Sequence, residues 1–319
     1  MAVTKEYLQK VFAVLLSEGK DAALKQFHLN EETFNRYTRK AKELGIPIVD
    51  KGKLISQIMQ NYTDKEIEAI AKGGRIVPGY AKVPIISFEG ERIRVGALTD
   101  THIGSVDFHE ERLYQAFDEF HKEKIDLMVH AGDVLEGMSN RPGHVYELSQ
   151  IGYAQQKKYA VECFGQWQDS DIYAISGNHD RWYVKSAGAN AIEDMSKELP
   201  NFHFLGHDEG EISLKGKAVL DLWHGEDGNS YALSYRLQKI LESLTGGEKP
   251  NAMIAGHVHK YVSIFERHVL CTSIGSIQLQ TRWMRSKRIA AHPGFVIMDY
   301  WVNNSGICKM THTWYPFYS

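Results

Sequence analysis

Cysteine is scarce in this chain: Cys163, Cys271 and Cys308 are the only three among 319 residues. An odd, thinly spread count in apolar surroundings offers neither a disulfide framework nor a thiolate metal site, and it fits reduced core thiols in a reducing compartment. Long apolar runs are missing too. The best early stretch, Val11 to Leu16, is too short for a signal-peptide core or a membrane span. The expectation is a cytoplasmic protein with no membrane contact. Neither sign of charge dominates, with a formal net charge of −3, so overall charge demands no polyanionic partner. Repeats and low-complexity tracts are absent. What remains is ordinary globular composition, 43% hydrophobic and 24% charged, in a chain long enough for a large core and more than one domain.

The charge is unevenly placed. Residues 1–80 hold 13 Lys+Arg and 10 Asp+Glu, a net of +3, while residues 81–319 hold 24 and 30, a net of −6. The basic end reads as helical. Apolar spacing predicts a helix over 4–17, a second over 21–27, and a third over 31–44 with Asn30 as its N-cap, Gly45 as its stop and Pro47 beyond. Arg36, Arg39, Lys40 and Lys42 share the exposed side of the third. Short helix, tight turn and basic helix is the outline of a DNA-reading helix-turn-helix, and equally of a small bundle that docks a partner protein. A further short helix is expected at 64–72. Gly73-Gly74-Arg75 and Pro78-Gly79-Tyr80 then break regular structure, so 1–72 is expected as a helical domain, 73–90 as a linker and 91–319 as the catalytic domain.

From Arg92 the texture changes. Strands are expected at 92–98, 127–131, 172–176, 219–223, 253–255, 261–265, 268–272, 294–300 and 308–314. Helices are expected at about 110–124, 150–168, 190–199 and 231–243. Five short motifs follow or sit within these strand-like runs: Asp100-Thr101-His102, Gly132-Asp133, Gly177-Asn178-His179-Asp180, His224-Gly225 and Gly256-His257-Val258-His259. Any one occurs by chance. The series, in order, is specific. Carboxylates, an amide oxygen and several imidazoles converging without thiolates suit two divalent ions of the Mn²⁺, Fe²⁺ or Zn²⁺ class. Such a pair is the usual machinery for in-line attack on phosphorus.

The series resembles the calcineurin-like metallophosphoesterase superfamily, and within it the Mre11/SbcD-type nuclease branch, over roughly Glu91 to the C-terminus. The fold this implies is α/β: two mixed β-sheets packed face to face with flanking helices, here with a small all-α N-terminal domain added. The resemblance also assigns the ligands. Asp100, His102 and His259 would hold one ion, Asn178, His224 and His257 the other, and Asp133 would bridge. Mn²⁺ is the first candidate, with Fe²⁺, Zn²⁺ and Mg²⁺ behind it. A hydroxide bridging the ions would attack the phosphodiester, His179 would protonate or stabilise the leaving oxygen, and Asp180 would orient His179 or close the turn. Val134-Leu135-Glu136-Gly137 and Asp180-Arg181 stand where many protein phosphatases carry other residues, which argues against that substrate.

Substrate signals are weaker. Arg282-Trp283-Met284-Arg285-Ser286-Lys287-Arg288 interleaves four cations with an aromatic, as a surface tracking a phosphate backbone would, and Arg181-Trp182-Tyr183 is a smaller version. Arg141 and His144 fall in a loop expected beside the site, and are candidates for substrate contact along with Arg181, Arg282 and Arg285. A solvated surface explains each of these runs as well. The leading expectation is a DNA nuclease, with DNA and a docking protein or second copy of the chain as partners. The alternative is a phosphodiesterase for small cyclic or linear nucleotides, towards which the acidity of 81–319 leans.

Overall fold

The computed structural model describes residues 4–46, 83–226, 232–244 and 249–318, and the chain divides into two compact units, Met1–Ile76 and Val77–Ser319. Among the described residues of the first unit three helices form: Lys5–Glu18 (α1), Lys20–Gln26 (α2) and Glu31–Glu43 (α3). Thr4 Oγ1 caps α1 by accepting the Tyr7 N–H, and Asn30 Oδ1 caps α3 by accepting the Thr33 N–H at 2.8 Å. Leu8, Val11, Phe12, Ala23, Phe34 and Ala41 close a small core. Arg36 and Arg39 are exposed on α3, and Lys40 is half-buried. The helix expected at 64–72 and the linker segment 73–82 lie outside the described residues.

The second unit holds two six-stranded mixed sheets. One runs Gly306–Pro316 (β12), Gly294–Asn303 (β11), Arg92–Leu98 (β2), Leu127–Ala131 (β3), Ile172–Ser176 (β4), Phe202–His207 (β5), in that spatial order. Here β2 to β5 are parallel and β11 and β12 antiparallel. The other runs Ile85–Ile86 (β1), Glu209–Leu214 (β6), Ala218–Trp223 (β7), Ala252–Ala255 (β8), Val269–Ile274 (β10), Tyr261–Glu266 (β9). β3 and β4 are buried along their whole length, because a parallel strand with both faces covered has no solvent side; hence their continuous apolar sequence. One sheet's inward residues, Val95, Val129 and Ile175, meet Leu220, Leu222 and Ile254 of the other. On the outer face of the first sheet, helices Glu110–Glu123 (α4), Tyr153–Phe164 (α5) and Ala191–Glu198 (α7) bury Phe117, Phe120, Phe164, Ile192 and Met195; Arg181–Ala187 (α6) precedes α7. Leu233–Ser243 (α8) covers the second sheet through Leu237 and Leu241. The result is four layers, helix–sheet–sheet–helix.

The sequence reading departs from this in places. β1 lies inside the stretch expected as linker: Ile85 and Ile86 pair in parallel with Ser213 and Leu214 and extend the second sheet. β5 and β6 were not expected. Gly206 and Gly210 interrupt them, and β6 alternates its buried positions with Glu209, Glu211 and Ser213 over too short a run to give a clear period. Helix Arg282–Ser286 (α9) stands where only a basic run was read.

Candidate metal centre

Strand endings build the site. Asp100 lies two residues past β2, Asp133 two past β3, Asn178 two past β4, His224 one past β7 and His257 two past β8. The carboxyl ends of parallel strands from both sheets therefore converge, as α/β folds place their ligand sites. The turns are tight. Asp100, His102, Asp133, His257 and His259 all adopt left-handed backbone, with φ between 49° and 81°. Such conformations cost of order 1 kcal/mol for a non-glycine residue and gather where function needs a side chain aimed. Crowding explains two glycines. A Cβ on Gly132 would fall 2.5 Å from His224 Nδ1, and one on Gly256 would fall 2.2 Å from Thr99 Oγ1.

Two donor sets result. In the first, His259 Nε2 lies 3.1 Å from Asp100 Oδ1 and 3.1 Å from His102 Nε2, with His102 Nε2 3.7 Å from both Asp100 Oδ1 and Asp133 Oδ2. In the second, His224 Nε2 lies 3.0 Å from Asp133 Oδ2 and 3.2 Å from Asn178 Oδ1, which is 2.9 Å from His257 Nδ1. Asp133 Oδ2 belongs to both. Donors around one ion at about 2.1 Å stand roughly 3.0–3.4 Å apart, which the contacts of His259 with Asp100 and His102 and of His224 with Asp133 and Asn178 match, while the two separations of 3.7 Å from His102 Nε2 are wider. The contact between the two Nε2 atoms points the same way, since two ring nitrogens face each other comfortably only across a proton or a cation.

Electrostatics agree. Burial pushes the carboxyls of Asp100 and Asp133 up, but the surrounding imidazoles reverse this and hold both well below the usual carboxylate range. Burial lowers both His224 and His102, but Asp133 raises His224 to about 9, and Asp100 and Glu136 raise His102 well above its ordinary value. His257, buried beside His224, is lowered to about 4. Protons on His102 and His224 thus do for the carboxylates what cations would, and binding of metal would release them.

Outer groups orient the donors. His224 Nδ1–H donates to the Ala131 carbonyl at 2.7 Å, which turns Nε2 towards Asp133. His102 Nδ1 lies 3.0 Å from Glu136 Oε2, off the line of the ring N–H, as an ionic contact. Glu136 is buried. It also accepts from His144 Nε2 at 3.1 Å and Gln278 Nε2 at 3.2 Å. His179 donates its backbone N–H to Asp133 Oδ1 and its Nδ1–H to the Glu136 carbonyl, both at 2.8 Å; its ring stands 4.6 Å from the His102 ring and 3.9 Å from the Trp182 ring, tilted by 32°. From α8, the guanidinium of Arg236 is buried over Trp223 and donates to the carbonyls of His224 (2.6 Å) and Gly256 (3.0 Å). Glu136, Trp182, Gln278 and Arg236 were given no such role from sequence. The one available signal was an arginine within the apolar spacing Leu233, Leu237, Ile240, Leu241.

Other expectations are redistributed. Asp180 does not touch the His179 ring. Its carboxylate accepts the N–H groups of Gly177, Leu135 and Val134, closing the turn between two motifs, and burial with Asp133 nearby raises it to about 7 against those donors. His144, expected at the substrate side, is instead 1% exposed: its Nδ1 accepts the Ser139 N–H, leaving Nε2–H for Glu136. Arg141 pairs with both oxygens of Glu147, and Arg181 with Asp208 and Glu226, so neither presents a free cation. Arg282 and Arg285, on α9, are exposed.

Residues 93–300 match the model of the calcineurin-like phosphoesterase superfamily domain. The chain belongs to this family. It is a metallophosphoesterase in fold, and its family uses divalent metal ions. The chain is also similar to two curated DNA polymerase II small subunits. That of Methanothermobacter thermautotrophicus is 25% identical over 275 residues, covering 72% of this metallophosphoesterase and 55% of that protein; that of Archaeoglobus fulgidus is 26% identical over 266 residues, covering 68% and 53%. The chain spans about half the length of these relatives. Among solved structures, an archaeal phosphodiesterase is 16% identical, with 70% of this metallophosphoesterase and all of that chain covered and a TM-score of 0.42. A phosphoesterase from E. coli is 18% identical, covering 69% and 98%, with a TM-score of 0.38. Among the described residues, no helix is long and apolar enough to cross a membrane.

Proposed function

We propose that this metallophosphoesterase is a Mn²⁺-dependent DNA nuclease of the Mre11/SbcD-type branch. In this reading Asp100, His102 and His259 hold one ion, Asn178, His224 and His257 the other, and Asp133 joins them. The observation that carries it is the shared carboxylate: a single oxygen of Asp133 lies 3.0 Å from His224 Nε2 and 3.7 Å from His102 Nε2, so one side chain serves both donor sets. Two bound ions would neutralise phosphate charge and acidify a water for attack on phosphorus. The chain's own groups do the rest. Glu136 and the Ala131 carbonyl aim His102 and His224. His179 commits Nδ1 to a carbonyl, so Nε2 is the atom that gives a proton to the leaving oxygen. Arg282 and Arg285 on α9 take backbone phosphates. The second unit, β1 included, is the catalytic domain, and the first is a helix-turn-helix-like head whose Arg36, Arg39 and Lys40 contact DNA. That two relatives are named small subunits of a DNA polymerase supports both a DNA substrate and a protein partner.

A second reading, a phosphodiesterase for small nucleotides, is favoured by the carboxylates that occupy Arg141 and Arg181. One assay separates the two. The metal-loaded chain is incubated with labelled single- and double-stranded DNA and with a nitrophenyl diester, before and after chelation. DNA cleavage that chelation abolishes is expected. Hydrolysis of the small diester with DNA left intact would sink the nuclease reading. Metal analysis of Asp133→Ala is expected to find both ions lost, and full occupancy would overturn the ligand assignment.

A further inference from the structure

Two loop excursions border the donor sets, and together they say more about the substrate than the ligands do. The first is 275–294. On its way out, Ile277 N–H donates to the Thr99 carbonyl and Gln278 N–H to that of Asp100; on its way back, His292 N–H donates to the His259 carbonyl at 2.7 Å. Both ends are thus fastened to candidate ligands of one ion, and α9 is the projection between them. Met284 is buried and anchors it, while Trp283 is 47% exposed. Arg282, Arg285 and Arg288 are exposed, and none has an ion-pair partner among the described residues. The second excursion is 137–149. It begins beside Glu136, and the Glu147 carbonyl accepts the Val106 N–H at 2.9 Å. It carries Tyr146, 86% exposed. The two excursions meet at residues 106–107, where the Asp107 carbonyl accepts the Leu279 N–H next to the Val106 N–H that donates to Glu147.

One border of the site therefore presents two large aromatic rings to solvent with a row of unpaired cations on the same excursion as one of them. Burial accounts for little of Tyr146 and for only about half of Trp283. A duplex offers phosphates to cations but keeps its base faces stacked inside. Unpaired bases offer both a π-face for an aromatic and a phosphate for each arginine. Resting on the nuclease reading above, we infer that this border binds unpaired nucleotides, with Trp283 and Tyr146 as stacking platforms and Arg282, Arg285 and Arg288 on the backbone, so that the substrate is single-stranded or frayed DNA rather than closed duplex.

Fluorescence anisotropy of the full chain in chelator, with a labelled single-stranded oligonucleotide and a labelled blunt hairpin, tests this without turnover. Tighter binding of the single strand is expected. Trp283→Ala and Tyr146→Ala are each expected to weaken it roughly tenfold, with little change for the hairpin, whereas Trp283→Phe and Tyr146→Phe keep a ring and most of the affinity. Arg282→Ala with Arg285→Ala should flatten the salt slope by about 1.4 for the single strand. Thermal melting checks that the variants fold. Alanine variants that bind the single strand normally, or that weaken hairpin and single strand alike, overturn the inference and leave the nuclease reading standing. A wild type that binds neither DNA, and cleaves neither when loaded with metal, overturns both.

Discussion

His179 is where geometry and proton affinity pull against each other. Its Nδ1–H is spent on the Glu136 carbonyl, so only Nε2 can serve a leaving oxygen, and it must then be protonated. Burial lowers the His179 pKa, and the nearby carboxylates of Asp133 and Glu136 only partly restore it. The sign of the pH dependence follows. The acid form is present below the depressed pKa and is lost as pH rises through it, so kcat/KM on a natural diester should carry a falling limb that begins below the ordinary histidine value of about 6.5. The kcat limb should lie higher, because bound phosphate brings negative charge to the ring. In His179→Ala the limb should vanish and the rate fall by ~10²-fold or more with metal content unchanged, and the loss should shrink on a nitrophenyl diester, which needs no proton. Equal losses on both diesters would remove His179 from the acid's role.

At the scale of elements, legibility tracked how one-sided each local signal was. β2, β3 and β4 were readable because both faces are covered, which leaves an unbroken apolar run; the seven candidate ligands stood out in the sequence because they fall just beyond strand-like runs at glycines and turns, and the structure brings them together. β5 and β6 were not, since glycines and glutamates blur their period. Nor could sequence reach the groups that hold the ligands still, because their partners are backbone carbonyls and buried side chains from distant segments. Arg236 is the clearest example. It ties the loop after β7 to the loop after β8, and so fixes the His224 and His257 positions relative to each other. Arg236→Met keeps the stem over Trp223 and removes both donations. The expected outcome is a 10–100-fold loss of affinity for one of two divalent ions, read by calorimetric titration, with the other ion bound nearly as before. Unchanged binding of both would make Arg236 a packing residue only.

At the scale of the whole molecule, a small basic unit and a larger acidic one share a chain, and the division of labour between them can be tested by cutting. Deleting residues 1–72 is expected to leave metal content and hydrolysis of a small diester intact. Cleavage of long DNA should weaken and depend less steeply on salt, as phosphate contacts are lost. An unchanged salt slope would mean that the head docks a protein instead of reading DNA. Within the larger unit, the left-handed backbone at positions 100, 102, 133, 257 and 259 has a consequence for how such a protein would decay. Glycine adopts that geometry freely, asparagine and aspartate with little difficulty, and branched residues hardly at all. A copy under no pressure to keep these side chains would therefore drift first to glycine or asparagine at those five positions. Such a copy would keep the outline of the motifs for the sake of its turns.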